Sequence, residues 1–239
     1  MNRICCACLI LALFPGCKPL RTLLAPENDT VSQREQTDNA GEEETYMIKE
    51  HKSGEWSPEL SNSEKQTLFK IVEDTLNWCV NGSSEPFSFD QYTLTDKMKK
   101  DTATFVTLKI NGMLRGCIGS LIPADPMYKS VHENAVLASM RDHRFRPVAP
   151  RELPTIEVYI SILSPIVPID SLEKFKIGEH GIILTKGRAR AVYLPEVAVE
   201  QKWNKDQTLS SLSEKAGLDG DSWRQGASFQ VFSSVVLSK

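Results

Sequence analysis

An Asn-Gly pair at positions 111 and 112 joins the runs ATFVTLKI and MLRGCIGS. No other feature restricts the fold so strongly. Asn-Gly favours the two-residue type I′ turn, whose twist matches two antiparallel strands. Such a turn pairs Val106 with Cys117 and Leu108 with Arg115. Further on, TIEVYISIL alternates strictly, with Ile156, Val158, Ile160 and Ile162 on one face. GIILT and RAVYL flank KGRA as a second hairpin, and SFQVFSSVV reads as a last strand.

Helical patterns separate these strands. SNSEKQTLFKIVEDTLNWCVNG opens with Ser61 and Glu64 at capping-box spacing. Leu68, Ile71, Val72, Thr75 and Cys79 then recur at helical spacing up to a stop at Asn81-Gly82. Cys79 is therefore expected on a buried face. DPMYKSVHENAVLASMRD is a second helix, with Asp125 as its cap and Pro126 at its first position. PEVAVEQKW and DQTLSSLSEKAG are two short ones, the latter ending at Gly217. Hairpins alternating with helices indicate an α+β fold with a mainly antiparallel sheet and packed helices.

The N-terminus reads as a targeting signal. A short basic start, MNR, precedes the twelve-residue apolar run ICCACLILALFP. That is short for a bilayer span and fits the central region of an export signal. Gly16 directly before Cys17 is similar to a bacterial lipoprotein signal, in which Cys17 becomes the lipidated first residue. Residues 1–17 are thus expected to be a signal, and the protein a membrane-anchored lipoprotein of the cell envelope, with the cytoplasm as the alternative. Residues 18–58 contain PENDTVSQREQTDNAGEEET, too poor in large apolar groups to offset ordering entropy. They are expected to form an acidic, disordered tether, and residues 59–239 the folded domain. Of 239 residues, 41% are hydrophobic, enough for one sizeable core. A net charge of −3 argues against a broad nucleic-acid footprint. With Cys17 acylated, only Cys79 and Cys117 remain beyond the signal, which leaves room for at most one bridge.

The segments TFVTLKINGMLRGCIGSL, ENAVLASMRDHRF, PRELPTIEVYISILSP, EHGIIL, YLPEVAVEQKW and KAGL, in this order, resemble the AMMECR domain family, also called AmmeMemoRadiSam system protein A. The resemblance runs over residues 60–236. It implies a larger and a smaller lobe around a mostly antiparallel sheet. It also implies two partners, a Memo-type dioxygenase-like protein and a radical S-adenosylmethionine enzyme. It supplies no established reaction.

Strand alternation places Arg115 and Cys117 on one face, roughly 7 Å apart along the backbone. A guanidinium beside a thiol lowers its pKa and makes a better nucleophile. The same cysteine can equally lie among apolar side chains as a small hydrophobe. A nucleophile needs an orienting partner. His180, between Gly178 and Gly181, is the candidate, with Asn134 as a second; His180 can equally be a turn residue satisfied locally. Glu133, Asn134 and Arg144 match the family's ENA and DxRF positions and are substrate-binding candidates. Arg144 can grip an anion through its forked donors or form a structural salt bridge. Glu196, in the first turn of a helix, is explained by the helix dipole. No cofactor motif, phosphate loop or short metal-ligand spacing is present. Two readings stand open: a thiol-dependent enzyme using Cys117, Arg115 and His180 with the Memo-type and radical S-adenosylmethionine partners, or a non-catalytic, membrane-tethered binding or adapter module.

Overall fold

The computed structural model describes residues 47–239. The expected signal, Cys17 and most of the tether lie outside the described residues. Thirteen elements carry the fold: β1 (Lys49–Lys52), α1 (Asn62–Val80), β2 (Thr104–Ile110), β3 (Met113–Gly119), α2 (Met127–Met140), β4 (Glu157–Leu163), β5 (Val167–Ile169), β6 (Gly181–Lys186), β7 (Ala189–Tyr193), α3 (Pro195–Glu200), α4 (Lys205–Lys215), β8 (Ser228–Phe232) and β9 (Ser234–Ser238). They form two antiparallel sheets, ordered β1-β9-β4-β2-β3 and β5-β8-β6-β7. The α+β class read from the sequence is the class observed.

Helix α1 begins as its sequence dictates. The Ser61 hydroxyl accepts the Glu64 N–H at 3.2 Å, and the Glu64 carboxylate accepts the Ser61 N–H at 2.7 Å. Its apolar face and that of α2 pack on one face of the larger sheet, around Leu68, Phe69, Val72, Val131, Val106, Leu108, Ile160 and Leu237. Cys79 lies at the margin of that face, half-buried rather than in the core. Both described cysteines are free. No side chain caps α2 at Asp125; Pro126 itself holds the N-cap position.

A second core joins the other face of the large sheet, through Phe105 and Cys117, to the small sheet and helices α3 and α4. The single final strand expected over 228–236 is two strands in different sheets. The chain leaves β8 and enters β9 across Ser233 alone. Ser233 and Ser164 are pinned there: Ser164 donates its N–H to Ser233 O, and Ser233 donates its N–H to Ser164 Oγ, both at 2.9 Å. Folded structure also begins ahead of residue 59. β1, within the expected tether, pairs Lys49 with Ser238 and Lys52 with Val235. An edge strand is held largely by its backbone, so composition does not reveal it.

Candidate functional site

The β2–β3 turn forms as its Asn-Gly pair requires, with φ of +52° at Asn111 and +72° at Gly112. The register beyond it differs from the expectation. Thr107 faces Cys117 and Leu108 faces Gly116, but Lys109 faces Leu114. A β-bulge therefore leaves Arg115 as the extra residue, without a partner across the ladder. The expected pairs Val106–Cys117 and Leu108–Arg115 are each displaced by one.

The bulge re-aims Arg115. Its guanidinium binds Glu152 in a fork, Nε to Oε1 at 2.8 Å and Nη2 to Oε2 at 3.0 Å, and Nη2 also reaches Pro147 O at 3.3 Å. Its Nη1 is buried with no partner among the described residues. The Arg115 hydrogen bonds, aided by the Ala149 N–H, pull the Glu152 pKa down to about 2. A charge matched to a carboxylate in this way has little left to lower a thiol pKa, which corrects the poising role expected of Arg115.

Arg144 and Asp142 cover the outer edge of β3. Asp142 Oδ2 accepts the Cys117 N–H at 2.9 Å, and Arg144 Nη2 donates to Cys117 O at 3.3 Å. Arg144 also holds Asp142 through Nε–Oδ1 at 2.8 Å and an Nη2–Oδ2 contact. Two side chains thus do for Cys117 what a neighbouring strand would do. Burial works to raise the Asp142 pKa, but hydrogen bonds from Arg144 and the Cys117 N–H outweigh it and hold the carboxyl below its ordinary value. The salt-bridge reading of Arg144 is the one observed. Asp142, Glu152 and the bulge were missed. The first two are ordinary charged residues in loop-like sequence, and nothing local tells them from solvated ones.

The other predicted residues are dispersed. Asn134 is fully buried and donates to Thr104 O and Thr104 Oγ1 at 3.0 Å, fastening α2 to β2. Glu133, beside it on α2, is half-buried. The His180 Nδ1 accepts the Lys176 N–H at 3.3 Å within its own turn in the small lobe, so its ring is satisfied locally. Cys117 is 3% exposed, and the Thr107 hydroxyl donates to its Sγ at 3.1 Å. The structure thus unites Cys117 and Arg144, while Arg115, Asn134 and His180 serve other contacts.

Strand alternation and register define a further group. On the face of the large sheet turned to the small lobe, Phe105 lies beside Gly119 and Ser161, then Thr107 between Cys117 and Tyr159, then Lys109 between Leu114 and Glu157. Phe105 is covered, whereas Thr107, Tyr159 and Lys109 keep partial exposure, so the face emerges from under the small lobe as a ledge. The Lys109 ammonium stands 4.6 Å from the Tyr159 ring centroid. Glu196, in α3, is half-buried against this ledge. Burial pushes its carboxyl up, its own N–H and Lys109 pull it down, and Glu200 adds to the rise. Burial, not the helix dipole, therefore dominates Glu196. Among the described residues no cluster of three or more His, Cys, Asp or Glu side chains could hold a metal, and no helix is long and apolar enough to cross a membrane.

Comparison with known proteins places this geometry. A protein of Methanothermobacter thermautotrophicus is 36% identical over 168 residues, which is 68% of this chain and 86% of the relative. A protein of Methanosarcina acetivorans is 31% identical over 186 residues, 75% of this chain and 94% of its own length. These relatives are archaeal, in contrast to the bacterial character of the N-terminal signal. The crystal structure of an uncharacterised protein, PH0010 of Pyrococcus horikoshii, superposes with a TM-score of 0.64 at 26% identity, covering 71% of this chain and 88% of that one. The AMMECR1 family model matches residues 69–237, most of the folded part, and the chain belongs to the AMMECR1 family.

Proposed function

We propose that this AMMECR1 domain is a non-catalytic binding module rather than a thiol enzyme. One observation carries the reading: the residues that would activate Cys117 are committed elsewhere, Arg115 to Glu152 and His180 to its own turn. A nucleophile without a base or a charge beside it is a weak one. The Arg115, Cys117 and Arg144 contacts instead build a rigid edge, and rigidity suits a binding surface. An N-terminal lipid anchor at Cys17, and service to Memo-type and radical S-adenosylmethionine partners, belong to this proposal as what the module would be tethered to and work with.

A second reading keeps one support. The Thr107 hydroxyl donates to the Cys117 sulfur, and a hydrogen bond to sulfur favours the thiolate. Peptide-resolved alkylation of the folded protein across a pH series separates the two. The binding module predicts that Cys117 reacts only as fast as the domain opens. Fast alkylation at neutral pH, with a midpoint well below an ordinary thiol, overturns it and favours the enzyme.

A further inference from the structure

We propose that the ledge formed by Thr107, Lys109, Tyr159 and Glu196 binds a small zwitterion of the α-amino acid class, with the ligand's carboxylate on Lys109 and its ammonium on Glu196. This rests on the binding-module reading and specifies its ligand.

The argument is one of unspent charge. Lys109 faces Glu157 across the ladder, yet Glu157 turns its oxygens away, Oε1 accepting the Gly112 N–H at 3.1 Å and Oε2 the Tyr159 hydroxyl at 3.2 Å. The ammonium is left on the Tyr159 ring, where a cation is attracted but its hydrogen-bond donors are not used. Glu196 is in the mirror-image position. It is partly removed from water, feels the Lys109 charge, and forms no direct ion pair with it among the described residues. A cation and an acid near each other but not joined leave a gap that a dipolar molecule can bridge.

The surrounding charges select against simpler ligands. An anion at Lys109 meets Glu196, Glu157 and Glu200 as like charges. A cation at Glu196 meets Lys109. A zwitterion satisfies both ends and adds no net charge, so its desolvation is offset at two points. The Thr107–Cys117 row beneath is small and weakly polar, which suits an amino-acid Cα and a short side chain. A polyanion is excluded on the same grounds, since the cation is single and flanked by acids.

Amide chemical shifts of the full chain, titrated with L-alanine, acetate and methylammonium at neutral pH and low salt, test this. L-alanine should shift Thr107, Lys109, Tyr159 and Glu196 saturably. Acetate and methylammonium should each bind at least tenfold more weakly. Lys109→Met and Glu196→Gln should each weaken L-alanine at least tenfold with an unchanged melting temperature. The comparison of probes on the unaltered protein needs no variant. No shift at these amides overturns the proposal, as does acetate binding as tightly as L-alanine, which would make the ledge an anion site. Fast alkylation of Cys117 would overturn the binding-module reading whatever the ledge does. An unreactive Cys117 with a silent ledge would remove the ligand assignment alone.

Discussion

The β2–β3 hairpin carries two cations in opposite circumstances. On the outer edge of β3, Arg115 is forked onto Glu152, while Arg144 holds Asp142 and the Cys117 backbone. On the open face, Lys109 rests on a tyrosine ring with no carboxylate in direct contact. One region spends its charge on holding the sheet together, and the other keeps it available. The motif most suggestive of chemistry in the sequence is thus largely architectural. The residue with unspent donors, Lys109, is the one that read as a plain strand lysine.

That contrast can be broken experimentally, beginning with the largest effect. A Cβ on Gly116 would lie 2.1 Å from Ala138 O, where α2 rests directly on the β3 backbone. Gly116→Ala should therefore cost about 4 kcal/mol or more, seen as loss of soluble protein or a collapsed urea midpoint. Asp142→Ala should cost about 3 kcal/mol, because it strands the Cys117 N–H and the Arg144 guanidinium together. Chemical denaturation measures it, and a loss below about 0.5 kcal/mol, the scale of ordinary surface changes, would mean that the edge is not held this way.

Arg115→Leu should cost about 1 kcal/mol at neutral pH, since the pair is partly exposed. Its sharper signature is in acid. Glu152 is held near 2 against an ordinary 4.5. A carboxyl lowered on folding contributes its full stabilisation above about 4.5 and loses it as pH falls toward 2. That part of the stability–pH curve should flatten in Arg115→Leu. Smallest of all, Lys109→Met should change stability by no more than about 0.5 kcal/mol, because no ion pair is lost. A large loss there would show that Lys109 is as architectural as Arg115 and would erase the contrast.

Features governed by neighbours in sequence were legible. The capping box at Ser61 and Glu64, the Asn111-Gly112 turn, the alternation of β4 and the β6–β7 hairpin all follow from local rules. Features governed by distant partners were not. The bulge at Arg115 is stabilised by Glu152, 37 positions away, and no turn rule anticipates it. β1 has no apolar alternation to betray it, because its ladder with β9 is a backbone affair. The run 228–236 keeps a strand pattern through Ser233, so nothing in its hydropathy marks the change of sheet. Arg115, Cys117 and Arg144 were found as a group by their motif, but their division of labour depends on Asp142 and Glu152, which no spacing rule connects to them.

The serine joint has a consequence for how the chain is assembled during synthesis. Between Ser164 and Ser233 the polypeptide makes a long excursion, the small lobe, and then returns to place β9 between β1 and β4. The large sheet is therefore interrupted until that excursion has been delivered, and Ser53 meets Ser234 across 181 positions. Contacts of such span are slow to find, because the loop entropy is lost before the contact repays it. A nascent chain holding β2, β3 and β4 would wait with one flank of β4 unpaired, a period in which a chaperone or a neighbouring nascent chain could bind it first.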